Sequence, residues 1–229
     1  MKKIGIICAM KIEADGFVNE MKNKEDVKVS GIPFTKGIIG NSEVVICVRG
    51  IGKVAAGMYA EAMIVAFSPD CIINTGVGGG LGTGLNVGDT VIASRLCQYD
   101  VDTTPVGDPL GMISGIDMIY LPTNEKLNAE LTDAAKAAGF GLKSGVIATG
   151  DRFVSSDSDR EFIKKNFGGE VCDMEGGAVA QVCYMNGVPC AVLRAISDSG
   201  DGNAVNDYPV FAAMAAKNAV KILLTYLNM

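Results

Sequence analysis

The chain of 229 residues contains no histidine and no tryptophan. Without histidine there is no Ser-His-Asp or Cys-His nucleophile system, no His-ligated zinc or haem, and no facial-triad iron centre. Proton transfer is left to carboxylates, Lys, Tyr, Cys or water. Positive charge is also short: Lys plus Arg is 20 against 26 Asp plus Glu, a net charge of −6. That balance argues against nucleic-acid binding, which needs basic patches to neutralise phosphates. The seven cysteines, at 8, 47, 71, 97, 172, 183 and 190, include no C-x-x-C pair, which excludes zinc ribbons and thioredoxin-like motifs. They sit in apolar runs such as Ile6-Ile7-Cys8 and read as small core residues in a reducing cytosol. Long hydrophobic runs are missing as well. The start, Met1–Met10, briefly resembles a signal peptide, but its apolar run stops at Lys11 and Glu13. No other stretch is expected to span a bilayer, so the reading is a cytoplasmic protein with no membrane partner.

What is present is a globular composition, 48% hydrophobic and 20% charged. A domain of this size buries ~70–75% of its unfolded surface and needs no disulfide or metal staple. Apolar, β-branched runs predict strands at Lys3–Ile7, Val44–Val48, Cys71–Thr75, Thr90–Leu96, Ser144–Thr149 and Cys190–Ile196. Helical spacing predicts helices at Lys11–Met21, Lys53–Phe67, Glu125–Ala138, Asp157–Lys165, Gly176–Asn186 and Pro209–Leu227. The last carries a stripe of Phe211, Met214, Ala215, Ile222 and Leu223 read as core packing. Strands apolar on both faces and alternating with helices predict an α/β fold. The expectation is a three-layer α/β/α sandwich around a central parallel or mixed sheet, as one domain over residues 1–229. The longest irregular stretch is Asp100–Pro122, and such loops are usually functional or interfacial.

The Gly-rich segment Thr75-Gly76-Val77-Gly78-Gly79-Gly80-Leu81-Gly82-Thr83-Gly84 follows a strand but fails both phosphate-binding patterns. Counted from Gly76, the third glycine of G-x-G-x-x-G falls on Leu81, and no G-K-[ST] follows. Its glycines read as places where backbone approaches a ligand or a neighbouring strand closely. Glu13, Glu175 and Asp198 each stand at a strand-to-helix junction. Any one of them reads equally as a capping group favoured by the helix dipole. Arg194 lies inside an apolar strand, and a buried guanidinium needs an acidic partner or an anionic ligand. Three acids and one Arg at strand ends form a candidate acid/base set.

In these residues the chain resembles the 5′-methylthioadenosine/S-adenosylhomocysteine nucleosidases of the nucleoside phosphorylase family. The resemblance rests on Ile4–Met10 with Glu13, Gly50-Ile51-Gly52-Lys53-Val54-Ala55-Ala56, Ile73-Asn74-Thr75-Gly76 with Gly79-Gly80-Leu81, and Val87-Gly88-Asp89. It continues through Tyr99-Asp100-Val101-Asp102, Thr149-Gly150-Asp151-Arg152-Phe153-Val154, Met174-Glu175 and Arg194-Ala195-Ile196-Ser197-Asp198. The resemblance implies a nucleoside phosphorylase-like fold and hydrolysis of the N-glycosidic bond of 5′-thio-substituted adenosines, with water and no metal or cofactor. Asp198 is then the general acid at adenine N7, held by Ser197. Glu13, with Arg194 nearby, orients the attacking water. Glu175 and the Met174 backbone hold the ribose, Phe153 stacks on adenine, and the Val154 backbone reads its edge. Val77 and Gly78 are placed against the substrate. Met10, Ile51, Tyr208 and Phe211 are expected to form the 5′ pocket. The resemblance also implies a homodimer in which the loop Val106–Ser114, through Val106 and Ile113, completes the neighbour's pocket.

Val77, Val106, Ser114, Tyr99 and Asp173 depart from the family pattern and leave the preferred 5′ substituent open. The alternatives are a purine nucleoside phosphorylase or a futalosine hydrolase on the same fold. Glu13 opposes the first, because a carboxylate repels a phosphate dianion. A silent nucleoside-binding protein is expected to lack one of Glu13, Glu175, Arg194 and Asp198, and a Rossmann oxidoreductase fails the glycine test.

Overall fold

The structure, a computed structural model, describes residues 1–48 and 50–229. Its centre is β1 (Lys2–Cys8), paired in parallel with β4 (Ser42–Val48) on one side and β5 (Cys71–Gly80) on the other. The stretch that resembled a signal peptide is therefore the middle of the sheet. Outward from β4 lie β3 (Ile32–Ile39) and β2 (Lys22–Val29), both antiparallel. On the other side β5 pairs in parallel with β10 (Cys190–Asp198), which runs antiparallel to β6 (Thr90–Gln98). Next to β6 comes β8 (Leu142–Thr149), then β9 (Gly169–Asp173). The short β7 (Tyr120–Pro122) pairs with β6.

The far end of this mixed ten-stranded sheet closes on itself, because β9 pairs back onto the end of β5 at Gly79 and Gly80. Strand β5 thus changes partners along its length. Its first half, Cys71–Asn74, lies between β1 and β10; its last residues leave β1 and meet β9. The gap where β1 ends and β5 continues is where the site forms, as expected at the carboxyl ends of strands.

Side chains alternate between two cores. Ile4, Ile6, Val44, Ile46, Ile73, Ala191, Leu193 and Ala195 face one way, with α1 (Lys11–Glu20), α3 (Glu125–Ala137) and α6 (Ala204–Asn228) packed on them. Ile7, Val45, Cys47, Ile72 and Val192 face the other, under α2 (Lys53–Phe67) and α5 (Gly176–Asn186). This period-two alternation is the physical basis of the three layers. Helix α4 (Asp157–Phe167) covers a third cluster beside β8 and β9. All seven cysteines are buried and unpaired.

Two expectations for the last helix need correction. It begins at Ala204, so Pro209 lies inside it and leaves the Val205 carbonyl without its usual donor. Met214 is exposed and Phe211 half-buried, whereas Ala215, Ile222 and Leu223 do reach the core. By length and composition alone α6 could cross a membrane. Its apolar face instead lies on the sheet, with Ala215, Ala219, Ile222, Leu223 and Leu227 buried.

Candidate active site

At the split between β1 and β5 opens a cavity of about 340 Å³, within the range that holds a nucleoside-sized ligand. Glu13 closes its floor. It is the third residue of α1, and its carboxylate turns back on the chain. Oε2 accepts the Ala9 and Met10 N–H groups, both at 2.9 Å, and Oε1 accepts the Val77 N–H at 3.1 Å. The last β1–β5 pair is Ile7 with Asn74. Beyond it, the Glu13 carboxylate bonds β5 where the β1 ladder has ended. Helix capping and site formation are here the same set of bonds. Burial pushes the Glu13 carboxyl above the usual range, against the opposing pull of these N–H groups and of Arg194.

Asp198 ends β10, at a bulge that shifts the register against β5 after Ile196. Its Oδ2 accepts the Ser197 hydroxyl at 2.8 Å and its Oδ1 the Gly200 N–H at 2.9 Å. Burial raises its proton affinity; the two donors oppose that, and the charges of Asp207 and Asp201 add to it.

The Gly-rich segment now has a reason. A Cβ on Gly76 would lie 2.6 Å from Glu13 Oε1. One on Gly79 would lie 2.9 Å from Asp198 Oδ1 and 2.8 Å from Cys172 Sγ. These glycines cradle no phosphate; they leave room for two carboxylates against one strand.

Arg194 is fully buried, and its direct partner is Asp173 rather than Glu13. Nη2 lies 2.5 Å from Asp173 Oδ2 and donates to Asn74 Oδ1, with Glu175 Oε2 at 3.8 Å. Asp173 also accepts the Thr149 hydroxyl and the Gly176 N–H. Thr149 Oγ1 accepts the Gly177 N–H at 2.7 Å, and Asn74 Nδ2 donates to the Ile7 carbonyl. Buried charges persist when paired and bonded in this way. Glu175, the N-cap of α5, accepts the Gly52 N–H at 3.0 Å. Burial first, then the neighbouring Asp173 charge, pushes its carboxyl up to about 7, against the pull of Arg194.

The walls carry the apolar groups. Phe153 meets Tyr208 edge-on, ring centroids 5.5 Å apart, and the Tyr208 hydroxyl donates to Met10 Sδ at 3.0 Å. Ile51, Val77, Gly78, Val154, Met174 and Ser197 also line the cavity. Phe211 is not among its lining residues. Val106 is exposed on its loop, while Ile113 is buried in its own chain's core beside Leu121 and Ile147. The fold thus brings Met10, Glu13, Ile51, Val77, Gly78, Phe153, Val154, Met174, Glu175, Ser197, Asp198 and Tyr208 to one cavity, and leaves Arg194, Phe211, Val106 and Ile113 off its lining, Arg194 lying behind Asp173 and Glu175. Sequence reading missed Asn74, Thr149, Asp173 as an ion-pair partner and Cys172. An amide inside an apolar strand and an acid in Val171-Cys172-Asp173 were the available signals.

The phosphorylase superfamily model matches residues 3–228. The chain belongs to the phosphorylase superfamily. Among its relatives is an aminodeoxyfutalosine nucleosidase of Helicobacter pylori, 37% identical over 224 residues, 97% of this chain and 96% of that protein. A 5′-methylthioadenosine/S-adenosylhomocysteine nucleosidase of Haemophilus influenzae is 36% identical over 223 residues, 97% of each. In structure the chain matches a Helicobacter pylori nucleosidase mutant with 5′-methylthioadenosine in its active site. That TM-score is 0.95, at 35% identity, covering 100% of this chain and 99% of that one. The resemblance read from the sequence motifs therefore holds over the whole chain, and so does the nucleoside phosphorylase-like α/β fold.

Proposed function

We propose that this superfamily member is a single-domain nucleosidase, residues 1–229, that hydrolyses the N-glycosidic bond of 5′-methylthioadenosine and S-adenosylhomocysteine, and of 5′-deoxyadenosine. The carrying observation is that two buried carboxylates of one cavity, both raised by burial, have different neighbours. Glu13 is held by three backbone N–H groups and feels the Arg194 charge; Asp198 has two donors and feels two further acids. The donors and the guanidinium favour the charged form of Glu13, and the two further acids favour the protonated form of Asp198, so Glu13 is read as the base and Asp198 as the acid.

Adenine is a poor leaving group, so Asp198, whose proton affinity burial raises, gives its proton to N7 as the glycosidic bond breaks. The sugar becomes oxocarbenium-like, and the neighbouring carboxylates stabilise it. Glu13 orients the water that attacks the anomeric carbon. Glu175 accepts the ribose hydroxyls beside the Met174 backbone. Phe153 stacks on adenine, and the Val154 backbone reads its edge. Met10, Ile51 and Tyr208 receive the 5′ group, with Val77 and Gly78 behind the sugar.

Water is favoured over phosphate by the charges lining the cavity. Among the described residues that line the cavity, four acids, Glu13, Asp173, Glu175 and Asp198, stand with one cation, Arg152, which is exposed and paired with Asp159 at 2.8 Å, and Arg194 behind them is taken up by its pair with Asp173. A phosphate dianion needs the reverse balance. Aminodeoxyfutalosine is a second substrate reading, favoured because relatives of that name match as well as those named for methylthioadenosine.

The enzyme is read as a cytoplasmic homodimer whose Val106–Ser114 loop completes the partner's 5′ pocket. Val106 is exposed, as are Val54, Met58, Tyr184 and Met185 on the mutually packed α2 and α5, which supports an apolar interface. The test is adenine release from each of the four nucleosides, with and without phosphate. The expected result is phosphate-independent release of adenine and a free sugar; release only with phosphate, as a sugar 1-phosphate, overturns hydrolysis.

A further inference from the structure

Three of the sequence motifs meet outside the cavity in a ring of bonds that the chemistry above does not use. Lys53 donates its backbone N–H to Asp151 Oδ1 at 2.7 Å and its ammonium to Asp100 Oδ1 at 2.6 Å. Asp100 Oδ2 accepts the Asp151 N–H at 2.9 Å, which closes the ring. One member follows β6, one follows β8, and one starts α2. Lys53 and Asp100 are largely shielded, with 17% and 29% of their side chains exposed.

The ring sits against a glycine that admits no side chain. Gly52 has a φ of 104°, a conformation L side chains rarely adopt, and a Cβ there would lie 2.8 Å from Asp151 Oδ1. Its N–H is the one that Glu175 accepts. Two carboxylates, Glu175 and Asp151, therefore share the N-terminus of α2, where the unpaired N–H groups and helix dipole attract them. They also repel each other, and Asp100 adds a third negative charge. Lys53 is the cation that offsets that repulsion. Without it, Asp100 and Asp151 lose the charge between them, and the α2 start loses its fixed place beside Glu175.

We infer that Lys53, Asp100 and Asp151 are positioning residues that hold the Gly52 N–H against Glu175 and so set the grip on the ribose. This rests on the reading that Glu175 binds the ribose hydroxyls. The adenine wall that follows Asp151 has further anchors of its own: the Tyr99 hydroxyl bonds the Arg152 carbonyl, and Arg152 pairs with Asp159. With those anchors holding the base end, loss of the Lys53 charge is expected to act mainly on the sugar end, through the Gly52 N–H that Glu175 accepts.

The test compares kcat and KM for 5′-methylthioadenosine with the Kd of free adenine in wild type, Lys53→Met, Asp100→Asn, Lys53→Arg, Glu175→Gln and the Lys53→Met/Glu175→Gln double variant. Lys53→Met and Asp100→Asn are expected to raise KM about tenfold, below the ~100-fold that a 1 Å displacement of a reacting group produces. Their kcat and adenine Kd should stay within about threefold of wild type, and Lys53→Arg should restore KM. In the Glu175→Gln background, Lys53→Met should change KM by less than about twofold, since residues acting through one group are not additive. Equal weakening of adenine and nucleoside, or an undiminished Lys53→Met effect in that background, overturns the inference. A Glu175→Gln enzyme with unchanged KM overturns the ribose reading and the ring with it. A Glu175→Gln loss beside wild-type-like Lys53→Met and Asp100→Asn overturns the ring alone.

Discussion

Replacing Glu175 by Gln should make the unliganded protein more stable at alkaline pH while it damages substrate binding. Glu175 is buried beside Asp173, and its carboxyl is pushed from 4.5 up to about 7. A raised carboxyl binds its proton more tightly in the folded than in the unfolded chain. Its contribution to stability is therefore full below about pH 4.5 and is lost as pH rises through about 7. At ~1.4 kcal/mol per tenfold change in proton affinity, the ionised group costs about 3 kcal/mol near pH 8. Gln removes that charge and keeps an oxygen for the Gly52 N–H. Its amide must also face Arg194 Nη2, 3.8 Å from the present carboxylate, so about half of the gain should survive. The expected difference is ~1.5 kcal/mol, or a Tm higher by ~3–6 °C for a chain of this size. Near pH 5 the charge costs only about 0.8 kcal/mol while the amide's cost against Arg194 remains, so the Gln variant should there be the less stable of the two by roughly 0.7 kcal/mol, a Tm lower by ~1–3 °C. Scanning calorimetry of both proteins at the two pH values reads this directly. A Gln variant equally displaced at both, or less stable near pH 8, refutes the argument that charge burial dominates at Glu175.

Gly76→Ala should lower kcat by about 100-fold with little change in the far-ultraviolet circular dichroism, because the new Cβ displaces Glu13, 2.6 Å away, and not the sheet. Unaltered turnover would mean that the position of Glu13 does not matter to the chemistry. All seven thiols should resist a disulfide reagent in the native protein and react on unfolding, since every cysteine is buried and burial pushes Cys47 and Cys97 up to about 12. Rapid labelling of any of them in the folded protein would contradict the packing described.

The sequence made the central strands legible because Ile4–Cys8, Val44–Val48 and Ile72–Ile73 are apolar on both faces, as burial between two helical layers requires. It hid β2, whose Lys22-Asn23-Lys24-Glu25-Asp26 half is exposed at the sheet edge and carries no hydrophobic pattern. It also hid β9, five residues long and begun by Gly169, and with it the closure of the sheet onto β5. The site was legible as motifs. Glu13, Glu175 and Asp198 stood out as acids at strand ends, and the fold brings them together. What no spacing revealed is which acid Arg194 meets. Asp173 and Glu175 are two residues apart on the turn into α5, whereas Glu13 comes from the opposite end of the chain, and only the β5–β10 register decides among them. The purpose of Gly76 and Gly79 was hidden for the same reason: each glycine makes room for a side chain delivered by another segment.

The central claim is that Asp198 is the acid for adenine departure. The most direct measurement is single-turnover adenine release from 5′-methylthioadenosine by Asp198→Asn, with nucleoside binding measured on the same protein. Asn keeps acceptors or donors for Ser197 and Gly200, so the fold and the cavity should survive. The account predicts a rate lower by ~10²–10⁴-fold with nucleoside affinity within about threefold of wild type. Release at the wild-type rate would contradict it.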